Sequence, residues 1–231
     1  MKTIGLIGGM SWESSAEYYR LINTLIKDRL GGFHSAKCVM VSVDFAEVET
    51  LQRANRWAES AQLLGAAAYS LERAGADVVV LCTNTMHKVA ADIQAAITIP
   101  FIHIADPTAE LITAQGLTTI GLLGTRFTME EDFYVERLRQ RYGLQVLIPD
   151  PPERAMIHRV IYDELCLGEI NATSKAQYLA AIDQLMARGA QGIILGCTEI
   201  GLLIQAEDCT VPVFDTTRLH AEAVVNFALQ A

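Results

Sequence analysis

The sequence predicts an α/β fold of two similar lobes, each built on a parallel sheet. Short apolar runs rich in β-branched residues alternate with longer helical stretches along the chain. Most of these runs are continuously apolar, which is typical of strands buried on both faces of a parallel sheet. Segments of the first half also recur in the same order in the second half. We therefore expect strand–helix–strand units joined by right-handed crossovers.

The apolar runs define the expected strands, and the stretches between them define the helices. Residues 58–74 are rich in Ala and Leu and stop before Gly75, and a helix over residues 153–165 follows the Pro-rich segment 149–152. Thr128 and Ser174 each begin a capping-box pattern, which predicts that a helix starts there. The expected strands span residues 3–7, 38–43, 78–81, 101–104, 118–123, 145–148, 192–195 and 211–214.

The repeat relates the two halves at a nearly constant separation. Residues 3–8 match residues 119–124, which lie 116 positions later, and residues 75–81 match residues 189–195 at a separation of 114. Pro100 and Pro212 mark a third match, at a separation of 112. Three matches in the same order predict two homologous halves.

Composition and charge exclude several classes of protein. With 231 residues and 51% hydrophobic residues, the chain can bury a sizeable core, which excludes intrinsic disorder as its main state. The net charge is −9 and no Lys/Arg run occurs, so neither a nucleic acid nor an anionic membrane is expected as a partner. No apolar stretch reaches the ~18 residues of a membrane span. Residues 1–10 contain one Lys and too short an apolar stretch for a signal peptide, so none is expected.

The cysteines indicate a reducing compartment. Five cysteines without a Cys-x-x-Cys pair fit neither a disulfide framework nor a zinc ribbon, so we expect a cytoplasmic protein without a bound metal.

The most informative residues follow the third strand of each half. At the separation of 114, Thr83 pairs with Cys197, Asn84 with Thr198, and Thr85 with Glu199. Open α/β sheets bind ligands at the carboxyl ends of their strands. A helix starting there would offer N–H groups to a carboxylate and lower the pKa of a thiol. These segments are therefore the predicted site.

The motifs of the chain resemble those of one enzyme family. Ile-Gly-Leu-Ile-Gly-Gly-Met at residues 4–10, Asn-Thr-x-His at residues 84–87 and Gly-Cys-Thr-Glu at residues 196–199 resemble the cofactor-independent aspartate/glutamate racemases. The resemblance spans essentially the whole chain and is greatest to the enterobacterial-type members of broad substrate range. It implies an isomerase that interconverts L- and D-amino acids with two bases, one on each side of the substrate Cα, and without pyridoxal phosphate or another cofactor.

The resemblance also implies which residues carry the reaction. Cys197 matches the second catalytic cysteine of the family, whereas Thr83 stands where members usually have the first. Neighbouring side chains of a strand point to opposite faces, so Cys82 is expected in the core and Thr83 at the site. A register shift that brings Cys82 into the site is the alternative. Because a hydroxyl is a weaker acid–base group than a thiol, exchange is expected to favour one enantiomer, or Thr83 to act as a relay.

Further residues are expected to bind the substrate. Met10 matches a pocket position of the family or packs in the core, and Asn84, Thr85 and Thr198 would position the substrate or cap helices. Glu199 would orient the Cys197 thiol, bind the ammonium group or complement a helix dipole. His87 is expected to be structural rather than catalytic, and His103 fits either role.

The side-chain pocket departs from that of aspartate-handling relatives. Val48 and Cys166 stand where those relatives carry an Arg and a Lys, so both cations that would bind a side-chain carboxylate are missing. A pocket made by Gln52 and Cys166 would favour a neutral or hydroxylated substrate such as homoserine, because a second carboxylate is costly to desolvate without a cation. Glutamate or aspartate is equally expected if Arg53 or Arg56 reaches the pocket.

The family fold implies two flavodoxin-like lobes related by pseudo-twofold symmetry, with the active site in the cleft between them. The first lobe would comprise residues 1–104 and 213–231, including a returning helix over residues 218–229, and the second would comprise residues 105–212. A homodimer is implied as well. The alternatives are a sister enzyme on the same scaffold (maleate isomerase, decarboxylase or hydantoin racemase) and a two-lobed amino-acid-binding protein without turnover.

Overall fold

Two four-stranded parallel sheets form the centre of the fold. The computed structural model describes residues 1–230. The strand order is β2-β1-β3-β4 in the first sheet and β6-β5-β7-β8 in the second, and every pairing is parallel. The α/β prediction with two parallel sheets is confirmed. The strands are β1 (Ile4–Gly8), β2 (Cys38–Ser42), β3 (Val78–Leu81), β4 (Phe101–Ile102), β5 (Thr119–Gly124), β6 (Gln145–Leu147), β7 (Ile193–Gly196) and β8 (Val213–Asp215).

Helices connect the strands. Within residues 1–230, no helix is both long and apolar enough to span a membrane. Three short 3₁₀ helices (Thr85–Val89, Leu165–Leu167 and Ala206–Asp208) supplement the α-helices. The α-helices are α1 (Trp12–Leu30), α2 (Phe45–Arg53), α3 (Trp57–Arg73), α4 (Ala90–Ala95), α5 (Ala105–Ala114), α6 (Arg126–Glu130), α7 (Asp132–Tyr142), α8 (Pro151–Asp163), α9 (Ala172–Ala187), α10 (Ile200–Leu203) and α11 (Thr216–Leu229).

The chain divides into two compact units. Unit 1 comprises Met1–Ile104 and the chain from His220 onward, and unit 2 comprises Ala105–Leu219. The expected return to the first lobe at residue 213 is therefore too early. Residues 213–215 form β8, which pairs with β7 in the second sheet through Ile193 and Val213.

The core of unit 1 lies on both faces of its sheet, as the apolar strands predict. Side chains alternate across a strand. Ile7 and Leu81 accordingly pack on the face covered by α3, whereas Leu6 and Cys82 pack on the opposite face with α1 and α11. Burying each such side chain contributes about 1.5–3 kcal/mol.

The strand register reproduces the sequence repeat. Leu81 of β3 is paired with Ile7 of β1, and Leu195 of β7 is paired with Leu123 of β5. Ile7 and Leu123 occupy equivalent places in the repeat, so Leu81 and Leu195 are equivalent as well. Counting two residues onward makes Thr83 and Cys197 equivalent positions of the two units.

Both helix starts predicted from capping boxes are wrong by three residues. Thr128 lies inside α6, whose cap is Thr125, with Oγ1 accepting the Thr128 N–H at 3.3 Å. Ser174 lies inside α9, whose cap is Asn171, with Oδ1 accepting the Thr173 N–H at 2.8 Å. In each case a capping residue three positions earlier satisfies the first free N–H groups.

Candidate active site

The candidate residues lie beyond the carboxyl ends of the strands, at the point in each sheet where the direction of the chain connections reverses. In the first sheet the connections run from β1 outward to β2 and then back to β3, and in the second from β5 to β6 and back to β7. Ligands of open α/β sheets bind beyond the carboxyl ends of the strands at this switch point. In unit 1 that edge carries Met10 and Thr83, and in unit 2 it carries Thr125 and Cys197.

Glycines shape this edge in both units. Gly9 has a φ of +94°, and an added Cβ would lie 2.0 Å from the Val43 carbonyl oxygen. The sharp turn leaves the Gly9 N–H to be bound by Ser15 Oγ at 2.8 Å. In unit 2, an added Cβ on Gly196 would lie 2.8 Å from the Leu123 carbonyl oxygen. Only glycine therefore permits the close strand approach that immediately precedes Cys197.

Thr83 is the accessible residue of a buried turn in unit 1. It is half-buried, whereas the residues on either side, Cys82 and Asn84, are buried. The Thr83 N–H donates to the Leu81 carbonyl at 2.9 Å, and Ser14 Oγ–H donates to the Cys82 carbonyl at 3.2 Å. Among residues 1–230, no hydrogen-bond partner is found for the Thr83 hydroxyl, which is thus available to a ligand.

Cys82 is a core residue. Its side chain is 1% exposed and packs on the α1 face of the sheet, and burial raises the pKa of its thiol far above the usual value. A side chain enclosed between the sheet and α1 does not reach a substrate beyond the strand ends. The geometry therefore favours Thr83 over the register shift.

The other unit 1 candidates are buried near this turn. Asn84 and Thr85 begin the 3₁₀ helix that follows Thr83, in place of the expected α-helix. Gln52 on α2 is buried, and its Nε2 donates to Met86 Sδ at 2.9 Å. Met10 packs with Met86 in one core cluster. Of the two roles expected for Met10, pocket lining and core packing, the structure displays core packing.

Cys197 and Glu199 form the central contact of unit 2. The Cys197 thiol donates to Glu199 Oε2 at 2.9 Å, and the Thr198 hydroxyl donates to the same oxygen at 2.7 Å. Cys197 is 8% exposed and Glu199 is 3% exposed. One buried carboxylate oxygen thus accepts two hydrogen bonds and orients the thiol. Among the roles expected for Glu199, this geometry supports the orientation of the thiol.

The thiol is held protonated. Burial raises the pKa of Cys197 well above its ordinary value, and the charge of Glu199 and the neighbouring Cys166 raise it further. The expectation that a helix N-terminus lowers this pKa is wrong. The following helix, α10, has only four residues, and desolvation together with the carboxylate outweighs its small dipole.

Sequence reasoning missed two residues in the neighbourhood of Cys197, namely Tyr178 and Glu164. Burial raises the pKa of Tyr178 on α9, and Cys197, Glu164 and Cys166 raise it further through their charges. Tyr178 donates to the Ile157 carbonyl at 3.0 Å, and Ser174 donates to Glu164 at 2.6 Å. No sequence motif marks these contacts. The nearest signal is the position of Glu164, two residues before Cys166.

The candidates thus form two groups, one in each unit. Met10, Gln52, Thr83, Asn84 and Thr85 lie in unit 1, whereas Cys166, Cys197, Thr198 and Glu199 lie in unit 2. Within residues 1–230, no group of three or more His, Cys, Asp or Glu side chains is arranged to hold a metal ion.

Comparison with known proteins identifies the family. The profile of the Asp/Glu/hydantoin racemase family matches residues 7–224. The chain belongs to this family. The predicted family and the predicted enzyme class, an isomerase of the amino-acid racemase type, are confirmed.

Individual relatives agree with this assignment. A Yersinia pestis protein provisionally assigned as an Asp/Glu racemase is 57% identical, with a TM-score of 0.94 over 100% of both chains. An aspartate racemase homologue from Pyrococcus horikoshii OT3 is 33% identical, with a TM-score of 0.87 over 100% of both chains. The broad specificity amino-acid racemase RacX of Bacillus subtilis is 24% identical over 163 residues, which cover 69% of this chain and 68% of RacX.

Replacing Glu199 by glutamine is expected to lower the pKa of the Cys197 thiol. The variant removes a negative charge but keeps an oxygen that accepts the S–H, so the thiolate becomes less unfavourable while burial is unchanged. A change of one pKa unit increases the thiolate fraction about tenfold at a pH below the pKa. Alkylation of Cys197 by iodoacetamide, followed by mass spectrometry of its peptide from pH 7 to 10, measures the effect.

The matched control for this measurement is Glu207→Gln, since Glu207 is exposed on the same unit. Its alkylation profile should equal that of the wild type. An unchanged or slower alkylation of Cys197 in Glu199→Gln would show that the carboxylate does not raise the thiol pKa.

Proposed function

We propose that the protein is a cofactor-independent amino-acid racemase that moves the Cα proton between two groups, Cys197 and Thr83. The observation that carries the proposal is the equivalence of these two residues. Each lies two positions beyond the matched Leu81 or Leu195, at the switch-point edge of its own sheet. A thiol and a hydroxyl at repeated positions supply one proton-transfer group per unit, as a two-base reaction requires.

The environment of Cys197 supports its role as the acid of the resting enzyme. The raised pKa keeps the proton on sulfur. When Thr83, with its hydroxyl proton already given up, accepts the Cα proton of one enantiomer, the thiol of Cys197 donates its proton to the opposite side of the Cα carbanion. This step leaves a Thr83 hydroxyl and a Cys197 thiolate, which is the state that the other enantiomer requires. For the other enantiomer the thiolate removes the Cα proton and the Thr83 hydroxyl returns one. In both directions one proton leaves Cα and one arrives, so the reaction needs no external acid.

Three small polar side chains are proposed to hold the substrate backbone. Asn84, Thr85 and Thr198 flank the two proton-transfer residues in sequence. Hydrogen bonds from these groups and from nearby N–H groups to the α-carboxylate would stabilise the enediolate-like intermediate. These hydrogen bonds would strengthen as negative charge accumulates on the carboxylate. They would therefore accelerate the reaction and not merely tighten substrate binding.

The unit 1 residues proposed to contact the substrate side chain support a neutral polar substrate of the homoserine type. Val48 is buried in the core, and Gln52 is buried beside Met86. Arg53 is 80% exposed in an ion pair with Glu49, and Arg56 is paired with Glu59 on the surface. The two arginines that could have bound a side-chain carboxylate are therefore engaged at exposed positions.

Deuterium exchange tests this proposal. L- and D-homoserine, glutamate and aspartate are incubated with the wild-type protein in D₂O, and Cα deuteration and inversion are followed by NMR and chiral chromatography. We expect kcat/KM for homoserine to exceed that for glutamate by about tenfold or more, because an unpaired buried carboxylate costs at least about 1.4 kcal/mol.

Other outcomes identify the alternatives. Turnover of maleate, a hydantoin or a malonate without amino-acid exchange would indicate a sister reaction. Tight binding of an amino acid without deuterium incorporation into either enantiomer would indicate a binding protein. Faster exchange of glutamate than homoserine would show that the predicted side-chain preference is wrong.

A further inference from the structure

We propose that His87 is a positioning residue for Thr83, and thereby for only one direction of the racemisation. This inference rests on the proposed function. His87 is 2% exposed and lies on the 3₁₀ helix that follows Thr83. Both of its ring nitrogens contact the backbone. Nδ1 lies 2.8 Å from the Thr83 carbonyl oxygen, and Nε2 lies 3.1 Å from the Ile104 nitrogen.

The two contacts define the protonation state of the ring. The Ile104 N–H is a donor, so Nε2 must be the unprotonated acceptor. The Thr83 carbonyl is an acceptor, so Nδ1 must carry the proton and donate it. His87 is thus a neutral imidazole that connects the turn after β3 to the turn after β4. A neutral ring with both nitrogens engaged has no atom left to exchange a proton with substrate, which excludes a direct acid–base role.

Packing holds the ring in this orientation. The centroid of the His87 ring lies 4.4 Å from that of His103 and 5.5 Å from that of Phe101. His103 therefore packs against the His87 ring. From the sequence, a structural and a catalytic role were both open for His103. A ring fixed by its neighbours transmits its position to the groups that it binds.

The turn that carries Thr83 depends on such contacts. Thr83 lies outside the strand, where the ladder of β-sheet hydrogen bonds has ended. Two side chains bind consecutive carbonyls of this turn: Ser14 binds that of Cys82, and His87 binds that of Thr83. Removing the second contact leaves the φ and ψ of Thr83 less restrained, and a displacement of about 1 Å at a reacting group costs up to about 100-fold in rate.

Two substitutions distinguish the contributions of the two ring nitrogens. The Nδ2 amide of an asparagine occupies the place of Nδ1, and the Oε1 of a glutamine reaches the place of Nε2. His87→Asn therefore keeps a donor for the Thr83 carbonyl, whereas His87→Gln keeps an acceptor for the Ile104 N–H. A purely structural role would make the two variants equivalent, but a positioning role makes His87→Gln the more damaging.

The test measures Cα deuterium incorporation separately for the L- and D-enantiomers of homoserine. The variant Thr83→Val identifies the enantiomer whose proton Thr83 handles. For that enantiomer we expect about a tenfold loss of kcat in His87→Gln and less than about a threefold loss in His87→Asn, with KM nearly unchanged. For the other enantiomer, both variants should stay within about twofold of the wild type. The exposed His34→Gln variant is the control and should match the wild type.

Equal losses for both enantiomers, or a larger loss in His87→Asn than in His87→Gln, would overturn the inference while leaving the racemase proposal intact.

If circular dichroism shows that the His87 variants do not fold, Ser14→Ala is the deciding variant, because it removes only the hydrogen bond to the Cys82 carbonyl. It should lower exchange of the same enantiomer about threefold, and a symmetric or absent effect would overturn the inference. Absence of exchange in the wild-type protein would instead overturn the proposed function, and this inference with it.

Discussion

Replacing Cys197 by serine is expected to reduce inversion of both enantiomers by about 1000-fold. A serine hydroxyl keeps the size of the side chain and can still donate to Glu199, so the fold should be unchanged. Its pKa is far above that of a thiol, and general acid–base catalysis by a well-placed group is worth about 100- to 10,000-fold. Initial rates of inversion, followed by chiral chromatography with L- and D-homoserine in separate reactions, measure the loss.

Both enantiomers are affected because Cys197 takes part in each direction. It donates the proton that completes inversion of one enantiomer, and it removes the proton from the other. Cys209→Ser serves as the matched control, because Cys209 is a half-buried cysteine of the same unit and is not part of the proposed site. Inversion that persists near the wild-type rate in Cys197→Ser would rule out this residue as a proton-transfer group.

Replacing Thr83 by valine is expected to have the second-largest effect, and an asymmetric one. Valine preserves the shape of threonine but has no hydroxyl. The Ser14 and His87 side chains bind backbone carbonyls of the turn, and the substitution does not alter these contacts. Exchange of the enantiomer that needs Thr83 as the base should fall about 100-fold. Exchange at the Cys197 side should persist, because the thiol and Glu199 are untouched. Thr83→Ser keeps the hydroxyl and should retain most activity.

A thiol at the same position provides a complementary test. Thr83→Cys supplies the thiol that the family resemblance implies at this position, so the two directions of exchange should become more equal. An equal loss for both enantiomers in Thr83→Val would contradict an assignment of Thr83 to one side of the substrate.

Much of the architecture follows from local sequence. The eight apolar runs all correspond to strands. The central strands β1, β3, β5 and β7 are buried on both faces and are therefore apolar along almost their whole length. The repeat also anticipated the equivalence of Thr83 and Cys197, which the register of β3 and β7 then reproduces. Helix starts were less predictable. Thr125 caps α6 and Asn171 caps α9, whereas Thr128 and Ser174 lie within the first turns of these helices, so residue type alone does not identify the cap.

The candidate site was only partly predictable. The segments around Thr83 and Cys197 stand out because they follow equivalent buried strands. The direction of the Cys197 pKa shift could not be inferred, because it depends on how completely the thiol is desolvated and on where the Glu199 carboxylate points. His87 contacts Thr83 and Ile104, which lie in two separate turns. No sequence pattern indicates these contacts.

By itself, the sequence determined the fold class, the repeat and the identity of the two proton-transfer candidates, since these depend on hydrophobic patterning and residue type. The tertiary structure decided their environment. It placed Cys82 in the core and left Thr83 accessible, paired Arg53 and Arg56 with surface carboxylates, and turned Glu199 toward the thiol. Burial and charge proximity arise only when distant segments pack together. They set the pKa values and the available donors, and therefore the chemistry that these residues can perform.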